Sequence, residues 1–316
     1  MRGSKRQASH LIPVPPEVKL TRTQRQIIDA RQAICAQPQP DNPDLTFSAR
    51  ELVQATLPHQ TPRGNPPEWY RTNGDYTLSI RPGYKTDPKT KSRVCIGYPY
   101  GNIPRLLLFW MTTEALRAGQ RRLALGDSLA DFMRALSLNP NRGGRWSDRA
   151  RLYEQTERLF NASISFEYTG DVSRQWCHME VTSRGELWWD FKQPEQGDLF
   201  TSWIELGEAF YEAITAHPVP LDMRTLRAMK ASSLALDFYA WLAYRHYRAT
   251  RSKKPVFVSW KQLQAQFGAA YNDPKNFKRN AKTALRKVLA VYHHLQVEEV
   301  RGGISIVPGF PLITSR

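Results

Sequence analysis

From Pro274 to Tyr292 the chain alternates apolar and polar positions with the period of a helix. At about 100° per residue, Phe277, Ala281, Ala284, Leu285, Val288, Leu289 and Tyr292 share one side of the cylinder. Asp273 and Pro274 predict its start: an acidic cap, then a proline where a missing N–H costs nothing. Lys275, Lys278, Arg279, Lys282 and Arg286 gather on another face, flanked by Asn276, Asn280 and Thr283. Upstream, Ser259 to Phe267 predicts a short helix capped by Ser259, burying Trp260, Leu263 and Phe267, carrying Lys261 outward and ending at Gly268. Downstream, Leu295 and Val297 alternate with polar neighbours, Gly302 and Gly303 turn the chain, and Ile304 and Ile306 return. Short helix, turn, long helix and hairpin make the order of a winged helix-turn-helix, whose second helix enters the major groove. A basic helix face is often only a solvated surface. Here its position favours phosphates as the countercharge, with Asn276, Asn280 and Thr283 placed to read base edges and Arg301 at the hairpin tip.

The pattern predicts the same order once before. A long, mostly apolar helix opens near Pro104, a strand is expected at Leu123 to Leu125, and Ser128 with Asp131 caps a helix to Leu138. Ser147 opens the next helix, with Leu152, Tyr153, Thr156, Leu159 and Phe160 inward. Strands follow at 163–168, 178–182 and 186–191, with Arg184 and Gly185 as a hairpin turn. This copy is nearly neutral on its outward helix face, so Arg142, Arg145 and Arg149 are its candidate DNA contacts. Strands at 76–81 and 93–97 are expected to pair, and His217 to Pro220 reads as a linker. Helices are expected at 21–37 and 48–55 within an otherwise irregular, proline-rich opening. The expectation is therefore an α+β chain: an N-terminal arm over 1–75, and two tandem winged helix-turn-helix domains over 76–216 and 217–316, the second the main DNA reader.

Charge sharpens this picture. The 316 residues carry a formal +16, and from Asp222 onward seventeen basic side chains face five acidic ones. Residues 1–221 are left with only +4, so the electrostatic footprint lies around the basic helix. Three widely spaced cysteines argue against a disulfide framework, no apolar run is long enough to span a bilayer, and the N-terminus lacks a secretory pattern. A cytoplasmic protein is expected.

The blocks I-G-Y-P-Y-G-N-I-P-R-L-L-L-F-W-M-T-T-E-A (96–115), L-G-D-S-L-A-D-F-M-R-A-L (125–136), G-G-R-W (143–146) and P-L-D-M-R-T-L-R-A-M-K-A-S-S-L-A-L-D-F-Y-A-W-L (220–242) resemble the plasmid-encoded RepA-type replication initiators. The resemblance runs from about Tyr76 to Pro308. It implies a bacterial protein that binds repeated origin sites (iterons) in duplex DNA through tandem winged helices, helps melt adjacent AT-rich DNA, and recruits the host initiator and replicative helicase. It also implies dimers that repress their own promoter. A winged-helix transcription repressor without a replication role is the alternative.

Catalytic patterns fare less well. Gly126-Asp127-Ser128-Leu129 spells an esterase signature, but the Asp-x-x-His that would supply its base is missing, and Ser128 reads as a helix cap. Asp190 and Lys192 after Glu186 resemble a nuclease site only faintly, and a charged strand end suffices to explain them. Adjacent His293 and His294 on a helix would point about 100° apart, unlike a nickase metal pair. There is no phosphate-binding Gly-rich loop and no zinc-ligand spacing. No enzyme activity, cofactor or metal is expected.

Overall fold

The computed structural model describes residues 21–37, 44–141, 144, 147–188, 202–268, 271–292 and 295–309. Helix α1 (Arg22–Ala36) begins with a reciprocal cap: Thr21 Oγ1 accepts from the Gln24 amide, and Gln24 Oε1 accepts from the Thr21 amide. Strand β1 (Leu45–Ala49) and the single turn α2 (Arg50–Gln54) follow. Two hairpins come next, β2 (Trp69–Asn73) with β3 (Tyr76–Arg81), and β4 (Gly83–Thr86) with β5 (Arg93–Gly97). The strands expected to pair with each other, 76–81 and 93–97, take other partners: β3 lies between β2 and the later strand at 163–169, and β5 pairs with β4. Gly74, at φ +60°, closes the first turn, and the Asp87 carboxylate holds the second by accepting from the Lys89 and Thr90 amides.

Helix α3 (Asn102–Ala118) is buried on most sides and leads through β6 (Arg122–Ala124) to α4 (Leu129–Ala135) and α5 (Asp148–Phe160). Strands β7 (Ser163–Thr169) and β8 (Arg174–Glu180) then join the sheet β2-β3-β7-β8, and β9 (Thr182–Glu186) and β10 (Trp203–Leu206) the sheet β6-β10-β9. Arg184 and Gly185, expected in a turn, lie within β9 opposite Glu205 and Ile204. A Cβ on Gly185 would come 2.9 Å from the Trp203 carbonyl, so glycine there permits close strand approach rather than a turn. The strand expected over 186–191 ends at Glu186, and residues 189–191 lie outside the described residues.

Helix α6 (Glu208–Ala216), strand β11 (Pro218–Asp222) and helix α7 (Met223–Met229) lead to α8 (Ser233–Ser252). Strand β12 (Val256–Ser259), α9 (Trp260–Phe267), α10 (Pro274–Val291), β13 (Val297–Val300) and β14 (Gly303–Ile306) complete the fold. The order long helix, strand, two helices, strand pair therefore occurs twice, with β7 and β8 inserted in the first copy between α5 and β9. In each copy the second strand of the hairpin sits centrally, in sheets β6-β10-β9 and β12-β14-β13.

The expected linker at 217–220 is a strand. β11 pairs antiparallel with β1 from Leu45–Asp222 to Ala49–Pro218. The Asp222 amide turns away from β1 and donates to the Tyr239 hydroxyl at 2.8 Å, so Pro220 and Pro218, two and four residues before it, occupy positions that owe no ladder hydrogen bond. The described part of the expected N-terminal arm is likewise built in: β2 pairs with β3, and α1 packs on α7 and α10. Arg224 fixes that helix by holding Asp222 while donating to the Ala33 and Gln37 carbonyls at its C-terminal end. One continuous apolar core runs through both copies. No helix among the described residues is long and apolar enough to cross a membrane.

Candidate nucleic-acid interface

Helix α10 starts as its sequence dictates, with Asp273 Oδ1 accepting from the Lys275 amide at 2.9 Å. Phe277, Ala281, Ala284, Leu285, Val288 and Val291 are buried, and Leu289 is half-buried at the edge of that face. With the apolar side locked against α8 and α1, the basic side faces solvent. Lys275, Asn276, Arg279, Thr283 and Arg286 are exposed; Lys278 and Lys282 are half-buried.

The two half-buried lysines share a support. Lys278 Nζ lies 5.2 Å and Lys282 Nζ 5.9 Å from the centre of the Trp260 ring, at the first turn of α9. Trp260 was expected in the core; of the three residues expected there Leu263 and Phe267 are fully buried, and the half-buried indole offers its face to the cations. Lys282 also donates to Glu299 on β13 at 2.5 Å. That hydrogen bond, with the charges of Lys282, Lys278 and Arg286, holds the Glu299 carboxyl below its ordinary range. One intramolecular carboxylate thus supplies part of the countercharge that the sequence reading left wholly to phosphate. The polar flank is also engaged internally: Arg279 donates to Asn276 Oδ1, Asn280 to the Asn276 carbonyl and Thr283 to the Arg279 carbonyl. Lys287, outside the expected set, lies on the same polar flank, beside Asn280, Thr283 and the N-terminus of α8.

Around the helix the hairpin β13–β14 turns at Arg301 and Gly302, the latter at φ +87°, leaving Arg301 exposed at the tip. Lys261 is exposed on α9. That helix carries a double cap at Ser259 and is clamped at its other end from the opposite half of the molecule. Arg71 of β2 donates to the Gln264 and Ala265 carbonyls, and Gln266 donates to the Val53 and Gln54 carbonyls. The indole platform is therefore anchored at both ends of its helix.

The first copy differs. On α5, Arg151 pairs with Asp148, Arg158 with Glu154, and Glu157 with Lys85, so most of its charge is neutralised within the chain. Arg149 is half-buried and pairs with no carboxylate among the described residues, while Arg142 and Arg145 lie outside them. Tyr153, expected inward, is 47% exposed, and Gln155 takes the buried position, accepting from the Tyr100 amide. Ser128 caps α4, accepting from the Asp131 amide and donating to its carboxylate. His293 and His294 fall outside the described residues. Among the described residues no three His, Cys, Asp or Glu side chains converge as metal ligands.

A solvent-facing basic helix, seated on an aromatic platform beside a β-hairpin, has the form of a nucleic-acid-binding surface. The chain belongs to the plasmid-encoded RepA protein family, whose pattern matches residues 98–262, just over half of its length. No curated protein matches it. It is similar to a solved structure of domains 2 and 3 of RctB, at 13% identity and a TM-score of 0.47, covering 81% of this chain and 94% of that one. A second structure of RctB domains 2–3 gives 11% identity and a TM-score of 0.39 over the same shares.

Proposed function

We propose that this RepA-family chain is a plasmid replication initiator that binds repeated sites in duplex DNA through two winged-helix units. The observation that carries this is α10: a row of solvent-facing cations beside a hairpin, on a chain of this family. Lys275, Lys278, Arg279, Lys282 and Arg286 set the helix in a major groove, Asn276 and Thr283 face base edges, and Arg301 and Lys261 meet the flanking backbone. The repeat of helix, strand, helix pair and hairpin supports a second unit, with Arg142, Arg145 and Arg149 as its contacts. Because α5 spends most of its charge internally, the second unit is the main reader. Five neutralised phosphates correspond to a salt slope of about −4 to −5 in log K against log[salt]. Host replication proteins join the complex at the origin.

Nuclease footprinting on the plasmid's own origin across a salt series tests this. Regularly repeated protections of about two helical turns each are expected. A single palindromic protection over a promoter would replace initiation by repression, and no specific protection would refute both.

A further inference from the structure

At the C-terminal ends of α8 and α10, away from the Asp273 end of the basic helix, lies a cleft of about 990 Å³. Its floor is Pro218, Val219 and Pro220 of β11 with Tyr239 and Tyr292. Its rim is α8, which brings Tyr244, Arg245, Tyr247, Arg248 and Arg251 to one opening. These arginines follow at steps of three, so they lie on neighbouring turns of one helix face. Elsewhere in the molecule arginines are regularly paired with carboxylates, as Arg105, Arg151, Arg158 and Arg184 are. Here none of the three meets a carboxylate among the described residues.

Arg245 is the telling one. It is half-buried, its Nε is shielded from solvent without a hydrogen-bond partner, and its guanidinium lies 5.7 Å from the Trp241 ring. Burial and the neighbouring Arg248 charge both disfavour its charged form. Next to it His246, in the cleft wall, is 1% exposed and its Nε2 also lacks a partner. A protein gains nothing for its own stability from setting the Arg248 charge against the partly desolvated Arg245 guanidinium, with Arg251 at the same opening. An incoming anion would relieve that arrangement, and a cleft with low-dielectric walls concentrates its attraction for one.

We infer that this cleft binds the phosphate groups of a nucleotide, with Arg245, Arg248 and Arg251 as the phosphate ligands and the exposed ring of Tyr247 as the surface for the base. Arginine forks match phosphate oxygens two at a time, and the Tyr244 ring already carries Arg248 at 5.9 Å, which orients that fork. Tyr247, 47% exposed, leaves its ring open for stacking. The volume lies at the upper end of the range for small-molecule sites and leaves room for a base and several phosphates. The phosphates come either from a free nucleotide or from a nucleic-acid strand passing the end of α10. The inference does not depend on α10 reading the major groove.

The test is isothermal titration of the full-length protein with ATP and, separately, with inorganic tripolyphosphate, for the native chain, Arg248→Glu/Arg251→Glu and Tyr247→Ala. Duplex binding by anisotropy is followed in parallel. Saturable ATP binding that falls at least tenfold in the double arginine variant and severalfold in Tyr247→Ala, with duplex affinity changed less than twofold, establishes a free-nucleotide site. No ATP binding, but a duplex salt slope flattened by about 2 in the double variant, assigns the cleft to nucleic-acid phosphates. ATP binding equal in all variants, or no ATP binding with an unchanged duplex slope, overturns the inference. Circular dichroism of the exposed-site variants should match the native chain.

Discussion

Replacing Asp237 by alanine should remove a large share of this protein's stability. Asp237, on α8, is 6% exposed and faces Arg105 of α3, whose side chain is 3% exposed. Arg105 Nε and Nη2 donate to the two carboxylate oxygens at 2.7 and 2.8 Å, and the remaining donors reach the Leu57, Pro58 and Gly101 carbonyls. His59 Nε2 adds a contact to Asp237 Oδ2 at 2.7 Å. The carbonyls would survive the substitution, but they cannot cancel a full charge. Breaking one side of such a buried pair costs about 3–5 kcal/mol, against a total of about 5–15 kcal/mol for typical domains. For a chain of this size that is a fall in melting temperature of about 5–8 °C, read by calorimetry. Arg105→Met/Asp237→Leu, which removes both charges, should cost much less than the two single changes summed. A loss below about 1 kcal/mol for Asp237→Ala, or full additivity in the double variant, would refute the claim that Arg105 and Asp237 act as one coupled, stabilising pair between α3 and α8.

Four further outcomes are expected. Lys278→Ala/Arg279→Ala should weaken binding to every duplex and flatten the salt slope by about 2; an unchanged slope removes α10 from the phosphate contacts. Glu299→Gln, by freeing Lys282, should raise affinity for non-specific duplex severalfold and steepen the slope by up to about 1, and anisotropy showing no change would mean Glu299 does not compete with phosphate. Ser128→Ala should cost about 0.5–2 kcal/mol through loss of the α4 cap, seen as a lower urea midpoint with duplex binding unaltered. Burial, and then the Arg105 charge, lower the pKa of His59 despite its Asp237 contact, so the folded state holds it neutral. Its contribution is therefore complete above about pH 6.5 and lost as pH falls through the lowered folded value. Burial alone would raise the Asp237 carboxyl, but Arg105 and His59 hold it below the usual range, so its own loss begins only at lower pH. Melting temperature should decline below pH 6.5 in the native chain, and His59→Gln should flatten that decline.

The sequence by itself determined what is local. Helix α10 was legible because Asp273, Pro274 and the Phe277-to-Val288 spacing specify start, period and buried side without reference to anything distant. The cap at Ser128, the turn at Gly302 and the segregation of charge were readable for the same reason. The family was readable from continuous blocks of residues. Tertiary structure alone decided what depends on partners far away in the chain. Pro218 to Pro220 has the composition of a linker, and only the arrival of Leu45–Ala49 makes it a strand. Trp260 has the spacing of a core residue, yet its ring serves Lys278 and Lys282 because α9 is turned and clamped by Arg71 and Gln266, some 190 and more positions from their targets. Glu299 is an ordinary strand residue until pairing of β13 with β14 swings it to Lys282. Hydrophobic period and capping are properties of neighbouring residues; charge pairing, ring stacking and strand addition are set by which surfaces the packed core brings together.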